Sequence, residues 1–148
     1  MRAVIQRTLG ASLKIDDTEV ASIGSGLVVF LGVEKGDGAE DVAYITRKLT
    51  GMRVFPDAED KTNLSILDVH GEILLVSQFT LCADLRHGRR PDFFAAAGAE
   101  EAVPLYENCI AELRRQVPVS TGVFGADMKV SLINDGPFTL LLDSRRNF

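Results

Sequence analysis

The chain is poor in the residues that most hydrolases rely on. It has two histidines, His70 and His87, and two cysteines, Cys82 and Cys109. A serine, threonine or cysteine nucleophile needs a base within hydrogen-bond reach, itself oriented by a third group. His70 falls at an expected turn and His87 in a basic loop, so no such constellation assembles from the sequence. The cysteines are far apart and lack C-x-x-C spacing, which speaks against a zinc site, a dithiol centre or a disulfide framework; both read as reduced thiols. H-x-x-H, H-E-x-x-H and acidic calcium loops are missing, and "GSGLVVFLGV" is neither a Walker loop nor a placed G-x-G-x-x-G fingerprint. Neither a metal nor a cofactor is expected.

Long apolar runs are missing as well. "GLVVFLGV" is far shorter than the roughly 20 residues a membrane helix needs. "MRAVIQRTLG" has no apolar signal core. No membrane association and a cytoplasmic location are expected. Basic residues are the minority, 16 Lys and Arg against 21 Asp and Glu for a net charge of −5. That balance argues against holding nucleic acid by a broad basic surface, because phosphate neutralisation dominates such affinity. One local exception is "LRHGRRP" (85–91), where Arg86, His87, Arg89 and Arg90 crowd around a glycine.

What remains is a 148-residue chain, 46% hydrophobic, which suits one soluble globular domain spanning 1–148. "RAVIQR", "ASLKI" and "EVASI" read as short strands with a tight return at Asp16-Asp17. "GLVVFLGV" (26–33) reads as a strand buried on both faces. Residues 37–51 read as a helix, with Asp37 and Glu40 at capping-box spacing, Val42, Ile45 and Leu49 on one face, and Gly51 as the stop. "MRVF" reads as strand, "PDAEDKTN" as an exposed loop, and "SILDVHGEILLVSQFTL" as a hairpin turning near His70-Gly71. A second helical region spans 92–116, with a break or start expected near Glu101–Pro104 because proline removes a helical hydrogen bond. "ADMKVSLIN" and "FTLLLD" read as a hairpin turning at Asp135-Gly136-Pro137. Strands and helices come in blocks, which favours an α+β fold of mostly antiparallel sheets with two helical segments on one side.

Two segments stand out chemically. In "LLVSQFTLCAD" (74–84), polar and aromatic residues end an apolar strand. Strand alternation places Ser77 and Phe79 on one face and Gln78 and Thr80 on the other, so main-chain groups must carry part of any role here. In "SLINDGPFTLLLDS" (131–144), Gly136-Pro137 interrupts a strand pattern.

These segments, with "MRAVIQR", "D-x-x-x-G-R-R-P-x-F" (84–93), "PLYENC" and "NDGPFT", make the whole chain resemble the D-aminoacyl-tRNA deacylase family. The S-Q-x-T element is Ser77-Gln78-Phe79-Thr80, and the Gly-Pro-x-T element is Gly136-Pro137-Phe138-Thr139. The resemblance implies a three-layer β/β/α fold and a cofactor-free homodimer. It implies hydrolysis of the ester joining a D-amino acid to the terminal adenosine of tRNA, and removal of glycine mischarged on tRNA(Ala). It further implies a cis Gly-Pro bond whose carbonyl oxygens enter the partner subunit's site and exclude L-amino acids.

By the same resemblance, main-chain atoms around Phe79 and Thr80 serve catalysis, Ser77 and Gln78 shape the adenine pocket, and Arg7 buttresses the Gly136-Pro137 loop. Arg86, Arg89 and Arg90 would meet tRNA phosphates. An aminoacyl ester is already activated, so positioning and oxyanion stabilisation by backbone N–H groups suffice in principle. Thr80 as a covalent nucleophile, Cys82 as a thiol esterase and a non-catalytic dimeric RNA-binding module are the alternatives. Phe138 stands where the family usually has valine. A related animal group combines an aromatic residue there with a trans Gly-Pro bond and L-alanyl-tRNA as substrate, which is a further alternative.

Overall fold

A computed structural model describes residues 1–147. The backbone of the fold is β1 (Arg2–Ile15), which continues unbroken where two short strands were expected. It returns at Asp16-Asp17, both left-handed with φ of 47° and 62°, into β2 (Thr18–Ile23). This is the paired positive-φ geometry of a tight hairpin, which Asp tolerates better than most residues. β3 (Gly26–Gly32) is the expected buried strand. The helix α1 (Ala39–Gly51) leads to a small hairpin of β4 (Phe55–Pro56) and β5 (Thr62–Leu64). β6 (Glu72–Ser77), α2 (Ala99–Arg114), β7 (Val119–Thr121) and β8 (Lys129–Asp143) complete the chain.

β1 pairs antiparallel with β2, β3 and β8, while β3–β6 and β6–β7 are parallel. The sheet is six-stranded and mostly antiparallel. Its parallel half explains the near-continuous apolar runs of β3 and β6, which are covered on both faces. The expected hairpin at His70-Gly71 does not form. Asp68 instead accepts from the Ser65 N–H and hydroxyl, 2.8 and 2.7 Å, closing a turn, and β6 runs parallel to β3.

Residues such as Ala3, Ile5, Leu27, Val29, Leu31, Ile73 and Leu75 form the larger core against α1 and α2. On the opposite face Leu13, Val28, Leu74 and Val76 form a second core with Met128, Val130 and Leu132 half-buried over it. Leu13 reaches Val28 and Leu74 because β1 turns at Thr8, a buried residue whose hydroxyl lies 2.7 and 2.9 Å from the carbonyl oxygens of Gly10 and Ile133 and shares its one proton between them. The outer half of β1, with β2 and the start of β8, therefore folds over β3 and β6. The result is the β/β/α layering.

Two helix details differ from expectation. Asp37 does not cap α1; Gly38 is the cap, its N–H donating to Asp41 at 2.8 Å. The Asp37 carboxylate is instead buried, accepting from the Glu34 N–H (2.6 Å) and pairing with the Met1 amine (2.8 Å) and Arg145 (2.9 Å). Pro104 lies inside α2 and not at its start: the helix begins at Ala99, two residues before the expected Glu101–Pro104 window, and it continues through the proline, which forgoes the N–H bond to the Glu100 carbonyl. Tyr106 ties α2 to the sheet, its buried hydroxyl donating to the Leu75 carbonyl at 2.8 Å. Tyr106→Phe is expected to cost about 1 kcal/mol for that bond, read as a lower urea midpoint at unchanged slope. Among the described residues no helix is long and apolar enough to cross a membrane.

Candidate active site

The end of β6 departs from strand at Ser77. Gln78 N–H donates to Leu31 O at 2.8 Å, the last step of the parallel pairing, and Phe79–Cys82 then forms a 3-10 turn. The alternation expected over 77–80 therefore stops at Ser77, and the Gln78 amide donates to the Thr80 hydroxyl at 2.6 Å. The first N–H groups of a helical turn have no acceptor within it. Here the N–H groups of Phe79 and Thr80 have no partner among the described residues, and both residues are exposed. Two adjacent free donors on a rigid turn are suited to receiving a developing oxyanion.

The turn is fixed from three sides. A Cβ at Gly32 would lie 2.8 Å from the Gln78 carbonyl oxygen and 3.0 Å from Cys82 Sγ, so glycine there permits the close approach. Arg2 donates to Leu81 O at 3.2 Å and pairs with Glu34 at 3.0 Å. Phe79, 57% exposed, meets the edge of Phe93 with ring centroids 5.0 Å apart. Cys82 is buried, and burial pushes its thiol up to about 11, which removes the thiolate that a thiol esterase needs. The Thr80 hydroxyl bonds the Gln78 amide, not a base.

Beside the turn lies a cavity of about 340 Å³, lined by Ser77, Gln78 and Phe79 on one side and by Tyr106, Phe124 and Met128 on the other. Its floor is apolar, from Leu31, Val33 and Val76. Burial raises the Tyr106 phenol to about 12, so it stays a neutral donor.

The Gly136-Pro137 segment is not a hairpin turn. β8 is one strand whose two halves both pair with β1: Asn134 opposes Thr8, Thr139 opposes Gln6, and residues 135–138 all oppose Arg7 alone. They form a bulge that leaves the sheet, and pairing resumes beyond it with the register shifted. The Gly136-Pro137 bond is cis.

Arg7, 8% exposed, organises the bulge. Its guanidinium donates to Val54 O and stacks on the Phe138 ring at 4.3 Å. Asp135 Oδ2 lies 2.7 Å from Arg7 Nε, with the N–H pointed off the oxygen, so the pair acts by charge. The Asn134 amide donates to Arg7 O and Phe138 O, both at 3.1 Å, and joins the two ends of the bulge.

One chain does not bring these two elements together. Ser77 is level with Leu31 and hence with Ala3, four positions before Arg7, about 14 Å along the strand. The bulge is on β8, three strands from β6 through β1 and β3, about 14 Å across the sheet.

Loop 85–91 is exposed and closed by the Asp84–Asp92 bridge, with N–H···O distances of 2.9 and 3.0 Å. Arg86 is spent on Asp84, whose carboxyl it holds far below the usual range. Arg89 and Arg90 are exposed and pair with no carboxylate among the described residues.

The sequence model of the family described as D-Tyr-tRNA(Tyr) deacylase matches residues 4–143. The chain belongs to this family. It is 52% identical over 149 residues to the D-aminoacyl-tRNA deacylase of Clostridium botulinum (strain Alaska E43 / Type E3), with all of both chains covered. The D-aminoacyl-tRNA deacylase of Syntrophobacter fumaroxidans is 51% identical over the same full span. Among solved structures, the c-Myc DNA Unwinding Element Binding Protein superposes with a TM-score of 0.92 at 37% identity, over 97% of this chain and 98% of that one. A probable eukaryotic D-amino acid tRNA deacylase shares the fold, with a TM-score of 0.81 at 18% identity over 95% and 97%.

Against this deacylase frame, the residues that sequence reasoning missed are those brought in by tertiary structure. Tyr106 and Phe124 reach the cavity from α2 and the loop before β8. "PLYENC" and the glycines around "VFG" were visible signals, but nothing in their spacing linked them to Ser77. Asn134 and Asp135 were within the quoted motif, yet their partner Arg7 is more than a hundred residues away.

Proposed function

We propose that this chain hydrolyses the ester of D-aminoacyl-tRNA, releasing the D-amino acid and tRNA. The observation that carries the reading is the pair of free N–H groups at Phe79 and Thr80 beside a cavity sized for a nucleobase. Water attacks the ester carbonyl carbon; the oxyanion is held by those two N–H groups. The bond from carbonyl carbon to ribose oxygen then breaks, and that oxygen leaves with a proton. The neighbouring ribose hydroxyl is the nearest group able to relay it, so the RNA assists its own deacylation. Ser77, Gln78 and the cavity seat the adenine, and Arg89 and Arg90 meet phosphates.

Gly136 and Pro137 act from a second copy, a reading supported by their separation from the 77–82 turn within one chain. Their carbonyl oxygens stand where an L side chain would project. Glycine, with no side chain, passes that filter, which extends the reaction to glycine mischarged on tRNA(Ala). A tRNA substrate implies work in the cytoplasm.

The test is release of tyrosine from D- and L-tyrosyl-tRNA without added metal. The D ester should turn over and the L ester be left essentially intact; equal rates on both would sink the chiral reading. Thr80→Ala should keep nearly the full rate, with no acyl-enzyme trapped on quenching. An acyl-threonine in the unmodified protein would instead establish covalent catalysis.

A further inference from the structure

Three cations converge on one aromatic ring away from the sites above. Arg47 Cζ, Lys48 Nζ and Arg146 Cζ lie 5.8, 5.7 and 5.7 Å from the centroid of Tyr44. They come from two elements, α1 and the tail after β8. Among the described residues none of the three pairs with a carboxylate.

The tail is held, not loose. Asn147 donates to Asp143 at 2.7 Å, and Arg145 donates to Lys35 O at 2.7 Å and to Asp37 at 2.9 Å. Arg146 itself is left-handed, φ 57°, a conformation that non-glycine residues adopt reluctantly. The fold thus places a third positive charge beside two others. The acidic residues on the same helix lie in its first turn: Glu40, and Asp41, whose carboxylate accepts from Gly38 N–H.

The position of α1 gives this patch a meaning. The helix begins beside Asp37, which binds the Met1 amine at the start of β1. It ends at Gly51, three residues before Val54, the acceptor for Arg7. The patch therefore lies along the first half of β1, between its start, where Arg2 holds the 77–82 turn, and Arg7 at mid-strand, which holds the 135–138 bulge. The catalytic turn and its cavity engage only an amino acid and one nucleoside. The rest of a tRNA is polyanion, which a chain of net charge −5 repels except where cations are concentrated and unneutralised.

Resting on the reading of tRNA as substrate, we propose that Arg47, Lys48 and Arg146, gathered around Tyr44, bind phosphates of its acceptor end. Each contact releases condensed counterions, so it shows in the salt dependence of binding.

The experiment is anisotropy of labelled, deacylated tRNA over a salt series. The triple variant Arg47→Gln, Lys48→Gln, Arg146→Gln should bind about tenfold more weakly at low salt, with the slope of log K against log salt flattened by about two. Its unfolding midpoint should be unchanged. A control triple, Lys14→Gln, Lys61→Gln, Lys129→Gln, removes the same net charge from other exposed positions and should leave the slope nearly as it was. Unchanged affinity and slope in the first triple overturn the proposal, as does an equal loss in the control, which would make the effect one of net charge. Hydrolysis of D-tyrosyl-tRNA by the unmodified protein is measured separately. Its absence would remove the functional reading, whereas normal hydrolysis with unaltered tRNA binding by the first triple would remove only the patch.

Discussion

Arg7→Ala should lower the unfolding free energy by about 3 kcal/mol and raise hydrolysis of L-tyrosyl-tRNA relative to the D ester at least tenfold. The stability loss follows from what the guanidinium leaves behind. Removing one partner of a buried, hydrogen-bonded charge costs about 3–5 kcal/mol, much of it from groups left unsatisfied. The Val54 carbonyl loses its donor and the Phe138 ring its stacked cation. Asp135 is about a third exposed, so water takes over part of its solvation and the lower end of that range applies.

The loss of selectivity follows from geometry. A Cβ at Gly136 would meet nothing within 4 Å, so the tip of the bulge is not ordered by packing around it. Its order comes from its two roots, where Arg7 and Asn134 hold residues 135 and 138. Freed there, the carbonyls that the proposed function sets beside the substrate α-carbon lose their fixed position, and on that reading a rejection that depends on clash weakens first. Arg7→Lys separates the two contributions. It keeps a charge for Asp135 but loses the plane that stacks on Phe138 and the forked donor for Val54, so stability should recover more than selectivity. A full stability loss with an unaltered ratio of D to L rates would detach the bulge from chirality.

The substitution of Phe138 for the usual valine has a local account. Its ring is half-buried against the core and forms the platform under Arg7, so the added bulk is used inside the bulge's root.

How far the sequence carried depends on whether a feature was local. β3 announced itself because covering on both faces makes an unbroken apolar run, and α1 because its buried stripe has helical spacing. The hairpin tip at Asp16-Asp17 was legible from turn chemistry alone. The junction at Gly136-Pro137 was misread for the opposite reason. A glycine-proline pair between two strand patterns has the same local signature in a hairpin as in a bulge. What decides between them is that β1 is long enough to pair with both halves of β8, a property of residues 2–14. Asp37 was misread similarly: capping-box spacing to Glu40 is real, but the Met1 amine and Arg145 outbid the helix for its carboxylate. The strand alternation drawn through Ser77–Thr80 failed at the 3-10 turn, and that failure created the free N–H pair on which the proposed chemistry rests. Motif resemblance singled out the two segments, but their separation appears only when the strands are placed in order.

Ala97→Trp should reduce kcat/KM for D-tyrosyl-tRNA about a hundredfold, mainly through KM. Ala97 lines the cavity beside Ser77 and Phe79, and its backbone is fixed by its N–H donating to Val33 O at 3.0 Å, so an added side chain has no backbone retreat. An indole at this half-buried rim occupies much of the space a purine would take. Stacking of a base on aromatic groups is worth about 1–3 kcal/mol, and two decades of rate correspond to about 2.7 kcal/mol, so loss of the nucleoside seat accounts for the whole effect. The substitution fills an open cavity without displacing core side chains, and the unfolding midpoint should stay within experimental scatter or rise. Ala97→Ser, which leaves the cavity open, should retain the unmodified rate. Should Ala97→Trp turn over D-tyrosyl-tRNA normally, the adenine must sit elsewhere. The exposed Phe79–Phe93 pair, with Phe94 80% exposed beside it in sequence, would then be the surface to test, and the ester would have to approach the two N–H groups from the opposite side of the turn.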